Sequence, residues 1–202
     1  MQPEKLQLKL YTDRATGISP EAFVVVFHNW IKKKLLPELM IDVANYAHVP
    51  KGPGVALIGH GNDYFIDEGE GRLGLLYSRK RGAPDAEHRL ADTFRRTLHA
   101  ASLIESDATL AAGGAKVRFR TDEVQLRIND RLAAPNDDAT FAALKPELDG
   151  FCRELFGAPA DITRSGTAKG LFTVKIATGA KTDVATLLAR LGGAPLADRS
   201  LV

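Results

Sequence analysis

Two histidines, His48 and His60, stand among Asp42, Asn45, Asp63 and Tyr64 in a chain of 202 residues, with Tyr46 close by in sequence. An imidazole beside a carboxylate can act as a general base with its orienter, and a pair of imidazoles with carboxylates can hold a divalent metal. If the chain is an enzyme, the expected catalytic set is His60 and His48 with Asp63 and Asp42. The spacing does not demand it. The histidines are twelve positions apart across the Gly52-Pro53-Gly54 loop, which fits no metal-ligand spacing, and no His-Glu-x-x-His pattern occurs. A plainer reading puts His60 at a hairpin corner between Gly59 and Gly61 and His48 at the end of a strand. On that reading neither carries chemistry, and no metal or cofactor is expected.

Glycine-rich backbone offers a second kind of chemistry, because amides next to glycine can cradle a phosphate. Pro50-Lys51-Gly52-Pro53-Gly54 supplies such amides and a lysine. The segment precedes a strand rather than a helix and matches neither Gly-x-Gly-x-x-Gly nor Gly-x-x-x-x-Gly-Lys-Ser/Thr, so an ordinary turn explains it. Ser102 and Ser165-Gly166-Thr167 lack the Gly-x-Ser-x-Gly setting of a hydrolase nucleophile. The single cysteine, Cys152, falls on an apolar helical stripe with Phe151, Leu155 and Phe156, the place of a buried, inert thiol. One cysteine also excludes an internal disulfide and a cysteine-based zinc site.

The elements that must position these groups follow from hydrophobic periodicity. Alternation over 5–11 sends Leu6, Leu8 and Leu10 to one face and Lys5, Gln7 and Lys9 to the other, as in a half-buried strand. Ser19-Pro20-Glu21 opens a helix whose Phe23, Phe27, Trp30 and Ile31 share a side; Lys32, Lys33 and Lys34 suit its end, and Pro37 stops it. Strands at 39–46, 55–59, 63–67 and 73–78 form an antiparallel meander. Pro84 and Asp85 begin a helix with Leu90, Phe94, Leu98, Ala101 and Ile104 on its apolar face and Arg89, Arg95 and Arg96 away from most of it. Strands 116–121 and 124–129 form a hairpin turning near Thr121-Asp122-Glu123. A helix opened by Pro135-Asn136-Asp137-Asp138 runs to Gly157, and strands at 161–164 and 171–177 and a short helix from 182 or 183 complete the pattern.

The order is β-α-β-β-α-β followed by β-α-β-β-α, an α+β chain with a mostly antiparallel sheet and helices on one face. Each half, 1–112 and 113–202, resembles the ferredoxin-like split βαββαβ arrangement, the second lacking its final strand. No residue-level repeat relates the halves, and one continuous domain fits as well as two.

Once strands are assigned, their outward positions carry Lys5, Lys9, Lys116, Arg118, Arg120, Arg127 and Lys175, with Gln7, Gln125 and Thr173 between them. Such a face attracts phosphates, an acidic partner or RNA. No aromatic residue stands among those positions to stack bases, which makes RNA the weakest of the three. The expected ligand-binding set is Lys116, Arg118, Arg120, Arg127 and Lys175, joined by Arg79 from the Ser78-Arg79-Lys80-Arg81 run, which can steer an anion. Plain solvation of a sheet uses the same residue types.

A chain that is 45% hydrophobic and 26% charged, with no low-complexity tract, is neither disordered nor collagen-like. Its formal net charge of +2 gives no argument for nucleic acid, so any such argument rests on how the charges are distributed. The opening residues alternate polar with apolar and form no leader or membrane anchor, so the expected compartment is the cytoplasm. Trp30 and the Phe-rich helix faces fit a core or a homo-oligomer interface equally. The functional expectation is a soluble, non-enzymatic binding or interaction module for an anionic small molecule or an acidic protein, with neither membrane nor nucleic acid as partner. The alternative is an enzyme with a His/Asp site at 42–64, metal-dependent or not, and a weaker one is an RNA-binding sheet.

Overall fold

Leucine alternation in the first strand decides which side of the sheet is roofed. The computed structural model describes residues 3–13, 18–82, 88–179 and 181–193. In chain order its elements are β1 (Leu6–Thr12), α1 (Ala22–Lys33), β2 (Met40–Tyr46), β3 (Gly54–Gly59), β4 (Asn62–Asp67), β5 (Gly74–Arg79), α2 (Arg89–Glu105), α3 (Ala108–Ala112), β6 (Phe119–Ile128), α4 (Asp138–Phe156), β7 (Ala160–Ser165), β8 (Phe172–Thr178) and α5 (Val184–Arg190). The strands form one antiparallel sheet in the order β2-β3-β4-β5-β1-β6-β8-β7. Leu6, Leu8 and Leu10 are each at most 1% exposed, on the side where α2 crosses β1 and β5. On this side α1 lies on β2 and β3, α4 on β7, and α5 against α2. One continuous core runs from Phe27 and Trp30 of α1 through Phe94 and Leu98 of α2 to Leu144 and Phe156 of α4.

Local chemistry sets the element ends. The Asp137 carboxylate accepts from the Thr140 amide at 2.8 Å and opens α4, and Gly157 in left-handed conformation (φ 74°) closes it. Gly54 begins β3 at φ 71°, where an added Cβ would lie 1.9 Å from the Ile66 carbonyl, so only glycine lets β3 and β4 meet there. Pro84 and Asp85, the expected start of the second helix, lie outside the described residues.

The strand order does not confirm two ferredoxin-like halves. A split βαβ unit has one strand between the two that its helix joins. Here β1 and β2, joined through α1, are separated by β3, β4 and β5. Pairing of β1 with β6 also carries the sheet across residues 112 and 113. The expected hairpin at 116–129 is a single strand, β6. Its register against β1 jumps from Leu10↔Val124 to Thr12↔Phe119, so the chain bulges at 120–123 instead of reversing. Thr121-Asp122-Glu123 offers no glycine or asparagine for the positive φ that a tight hairpin needs, whereas a bulge tolerates it. Among the described residues no helix is long and apolar enough to cross a membrane.

Candidate functional site on the open sheet face

The side opposite the helices can be read strand by strand from the register. Ala44, Ala56, Phe65 and Leu76 continue in one row into Lys9, Gln125, Lys175 and Thr163. The next row brings Gln7, Arg127, Thr173 and Ser165 side by side. Neighbours in such a row stand roughly 5 Å apart. Over β2 to β5 the first row is apolar, whereas the next carries Asp42, Ile58, Asp63 and Ser78 before it reaches Gln7; over β1, β6, β8 and β7 both rows are polar. Phe65 and Tyr11 belong to it, so aromatic residues are not absent as the sequence suggests. Tyr11 is only 1% exposed, because the Arg72 guanidinium lies 3.6 Å from its ring centroid.

The connection between β4 and β5, with a single 3-10 turn at Gly69–Gly71, folds over the polar half and brings acids to it. Lys9 Nζ lies 2.5 Å from an Asp67 carboxylate oxygen and donates to the Gly69 carbonyl at 3.0 Å. Gln125 donates to Glu70 at 3.1 Å, and Arg127 stands 3.7 Å from the same carboxylate. Glu70 holds a left-handed backbone (φ 64°), and its side chain remains 48% exposed. Arg72 donates to both oxygens of Glu123 at 2.6 and 3.0 Å, and Arg120 to both oxygens of Asp122 at 3.0 Å. The β6 bulge supplies Arg120, Asp122 and Glu123, which places this cluster at one end of the face.

These contacts shift the ionisable groups. Burial lowers the Lys9 pKa against the pull of Asp67, and burial with the nearby Glu70 charge raises that of Tyr11. The hydrogen bond from Arg72 holds Glu123 below its ordinary range, and that from Arg120 does the same for Asp122. Tyr11 Oη and Gln125 Oε1 are buried without a hydrogen-bond partner among the described residues, so polar capacity under the turn is unused.

Of the expected ligand-binding residues, Arg127 and Lys175 lie on this face. Lys175 makes no ion pair among the described residues, while Arg120 is engaged at the bulge. Arg118 precedes β6 and is tied to the end of α2, donating to the Glu105 carbonyl at 3.1 Å; Lys116 is exposed before the strand begins. Arg79 is a correction. Alternation within β5 turns it to the helix side with Leu75 and Tyr77, where it is 2% exposed and bonded to Asp92. It cannot join the open face.

The histidines do not converge. Tyr46 pairs with Gly54 and Met40 with Gly59, so His48 and His60 follow opposite ends of the β2–β3 ribbon, roughly 17 Å apart at about 3.4 Å per residue. Both are exposed. Asp42 accepts from the Val43 amide at 2.7 Å, and Asp63 is held by the Gly59 amide at 3.1 Å and Lys80 Nζ at 2.7 Å. Among the described residues no group of three or more His, Cys, Asp or Glu side chains could hold a metal. Cys152 is buried, and burial pushes its thiol up to about 12.

Sequence reasoning missed a second polar centre, beneath the helices. Arg96 contacts Asp92 at 2.8 Å and Glu38 at 2.8 Å, Arg79 shares Asp92, and Tyr64 donates to Glu38 at 2.7 Å. Tyr77 donates to Asn62 at 2.7 Å alongside. Burial opposes the charge on Asp92, yet Arg96 and Arg79 hold its carboxyl below the usual range. Burial, with Glu38 next to it, raises Tyr64 far above its ordinary value. Only the Asp92/Arg96 spacing of four is visible in the sequence; Arg96 there stands off the apolar face, whereas the structure buries it.

No protein-family model matches the chain, and no curated protein is significantly similar to it.

Proposed function

We propose that the chain is a non-enzymatic, cytoplasmic binding module whose open sheet face takes the anionic group of a small molecule or of an acidic partner. The observation that supports it is the grouping of Arg127 and Lys175 with Thr163, Thr173 and Ser165 on adjoining strands. This corner pairs two cations with the hydroxyls of Thr163 and Ser165, Thr173 spending its own proton on the Leu171 carbonyl, and the carboxylate that reaches Arg127 is Glu70, exposed by nearly half and at a loose 3.7 Å. An incoming phosphate or carboxylate gains both cations by displacing Glu70 from this loose ion pair and from its hydrogen bond with Gln125. The histidine pair offers no comparable convergence.

Calorimetric titration with inorganic pyrophosphate tests the reading. Glu70→Gln removes the competing charge and tightens binding about fivefold, as expected for an exposed ion pair worth up to ~1 kcal/mol. Arg127→Ala combined with Lys175→Ala removes binding, whereas Arg118→Ala leaves it unchanged. Failure of pyrophosphate to bind either the wild type or the Glu70→Gln protein overturns the proposal.

A further inference from the structure

Strand β2 ends the sheet, pairing with no second strand among the described residues, and its outer edge differs from the opposite one. We propose that β2 is a docking edge for an extended acidic segment of a partner protein, which pairs with it as a ninth strand. This site is separate from the open face and does not rest on the anion-binding reading.

Three observations select that occupant. The first is backbone. The Val43 amide is bonded to the carboxylate of its own neighbour Asp42, which turns it away from β3, and alternation turns the Asn45 backbone the same way. An added strand offers these groups partners in place of one exposed side chain. The second is apolar surface. Of the seven large hydrophobic residues exposed among the described ones, six fall between residues 25 and 49: Val25, Leu35, Leu39, Ile41, Tyr46 and Val49. The other edge, β7, exposes Asp161 and Thr163 and no large apolar side chain. The third is charge. Lys32, Lys33 and Lys34 are exposed where α1 leads towards the start of β2, and Lys51 is exposed beyond its end; none has an ion pair among the described residues.

The same observations disfavour other occupants. A second copy pairing antiparallel through β2 would set the Lys32–Lys34 end of one chain against the Lys51 end of the other, like charge on like. A lipid surface would match the lysines and apolar groups, yet would strip water from the edge amides without replacing it. A segment alternating acidic with apolar residues satisfies backbone, side chains and charge together.

The test uses the full chain and a fluorescein-labelled octapeptide alternating Glu and Val, followed by fluorescence anisotropy at low salt. Saturable binding is expected, at least tenfold tighter than that of the matching Lys/Val peptide. It weakens tenfold or more in the Lys32→Gln, Lys33→Gln, Lys34→Gln triple variant, whose changes lie at the surface, and in Ile41→Glu. Methylating alternate peptide nitrogens on the pairing side abolishes it, and the Val43 and Asn45 amides gain protection from hydrogen exchange in the complex. Equal binding of the two peptides, no binding, or indifference to methylation overturns the proposal. So does a dimer in light scattering that blocks the acidic peptide, or binding to phosphatidylglycerol vesicles without protection of those amides.

Discussion

Arginine meets carboxylate on both sides of this sheet, and the outcome differs. Beneath the helices, Arg79 and Arg96 are 2% and 5% exposed and share Asp92, with Glu38 and Tyr64 closing the set. On the open face, Arg127 reaches a half-exposed Glu70 at 3.7 Å, and Lys175 makes no ion pair among the described residues, acting on Glu123 only from a distance. Desolvation makes the first group indispensable to itself: each charge is tolerable only because the others are there. The second group keeps its water and can exchange its partner. Residue type is the same in both places, so burial separates ion pairs that hold the fold from ion pairs open to a ligand.

The strongest way to break this contrast is Asp92→Asn, which leaves two buried guanidiniums short of charge. A loss of about 3–5 kcal/mol is expected in guanidinium denaturation, and a value below ~1 kcal/mol would erase the distinction. Lys9 is an intermediate case, buried yet on the open face, with Asp67 as its carboxylate. Asp67→Ala should cost about 2–3 kcal/mol, most of it recovered by adding Lys9→Met, since removing both partners leaves no orphaned charge.

Acid titration sharpens the comparison with a smaller effect. Burial lowers the pKa of His99, whose ordinary value is 6.5, so below that pH the unfolded chain takes up a proton that the folded chain resists and stability falls. Asp92 is depressed below its ordinary 3.8, so its contribution is complete above that value and disappears as pH drops through the lower folded pKa. Thermal melts should show two successive declines, and His99→Leu should remove the first alone. The smallest effect belongs to Glu70→Gln, within about 0.5 kcal/mol of wild type in the same melts. A cost similar to that of Asp92→Asn would mean that the fold depends on the open-face pair as heavily as on the buried one.

Periodicity in the sequence reveals the strands and helices better than their partners. Leu6, Leu8 and Leu10 announce their buried side because alternation is local, and the stripe from Leu144 to Leu155 announces α4 in the same way. The run from 116 to 129 reads as a hairpin because a bulge also interrupts alternation, and only the cross-strand register separates the two. Arg79 reads as a surface cation in the company of Lys80 and Arg81, yet its environment is set by Asp92, thirteen residues away on a helix. The acid turn is equally hidden: Glu70 meets Gln125 and Arg127 across more than fifty residues, a distance at which pattern carries no information.

The placement of β1 has a consequence for how the chain assembles. The meander β2 to β5 closes through short turns, but β1 must pair with strands far along the chain: Leu8 faces Tyr77 on one side and Leu126 on the other. Long closures of this kind slow folding, so the two flanks of the sheet should gain structure before β1 is captured between them. Deleting β1 would then remove the joint between two otherwise separate β ribbons.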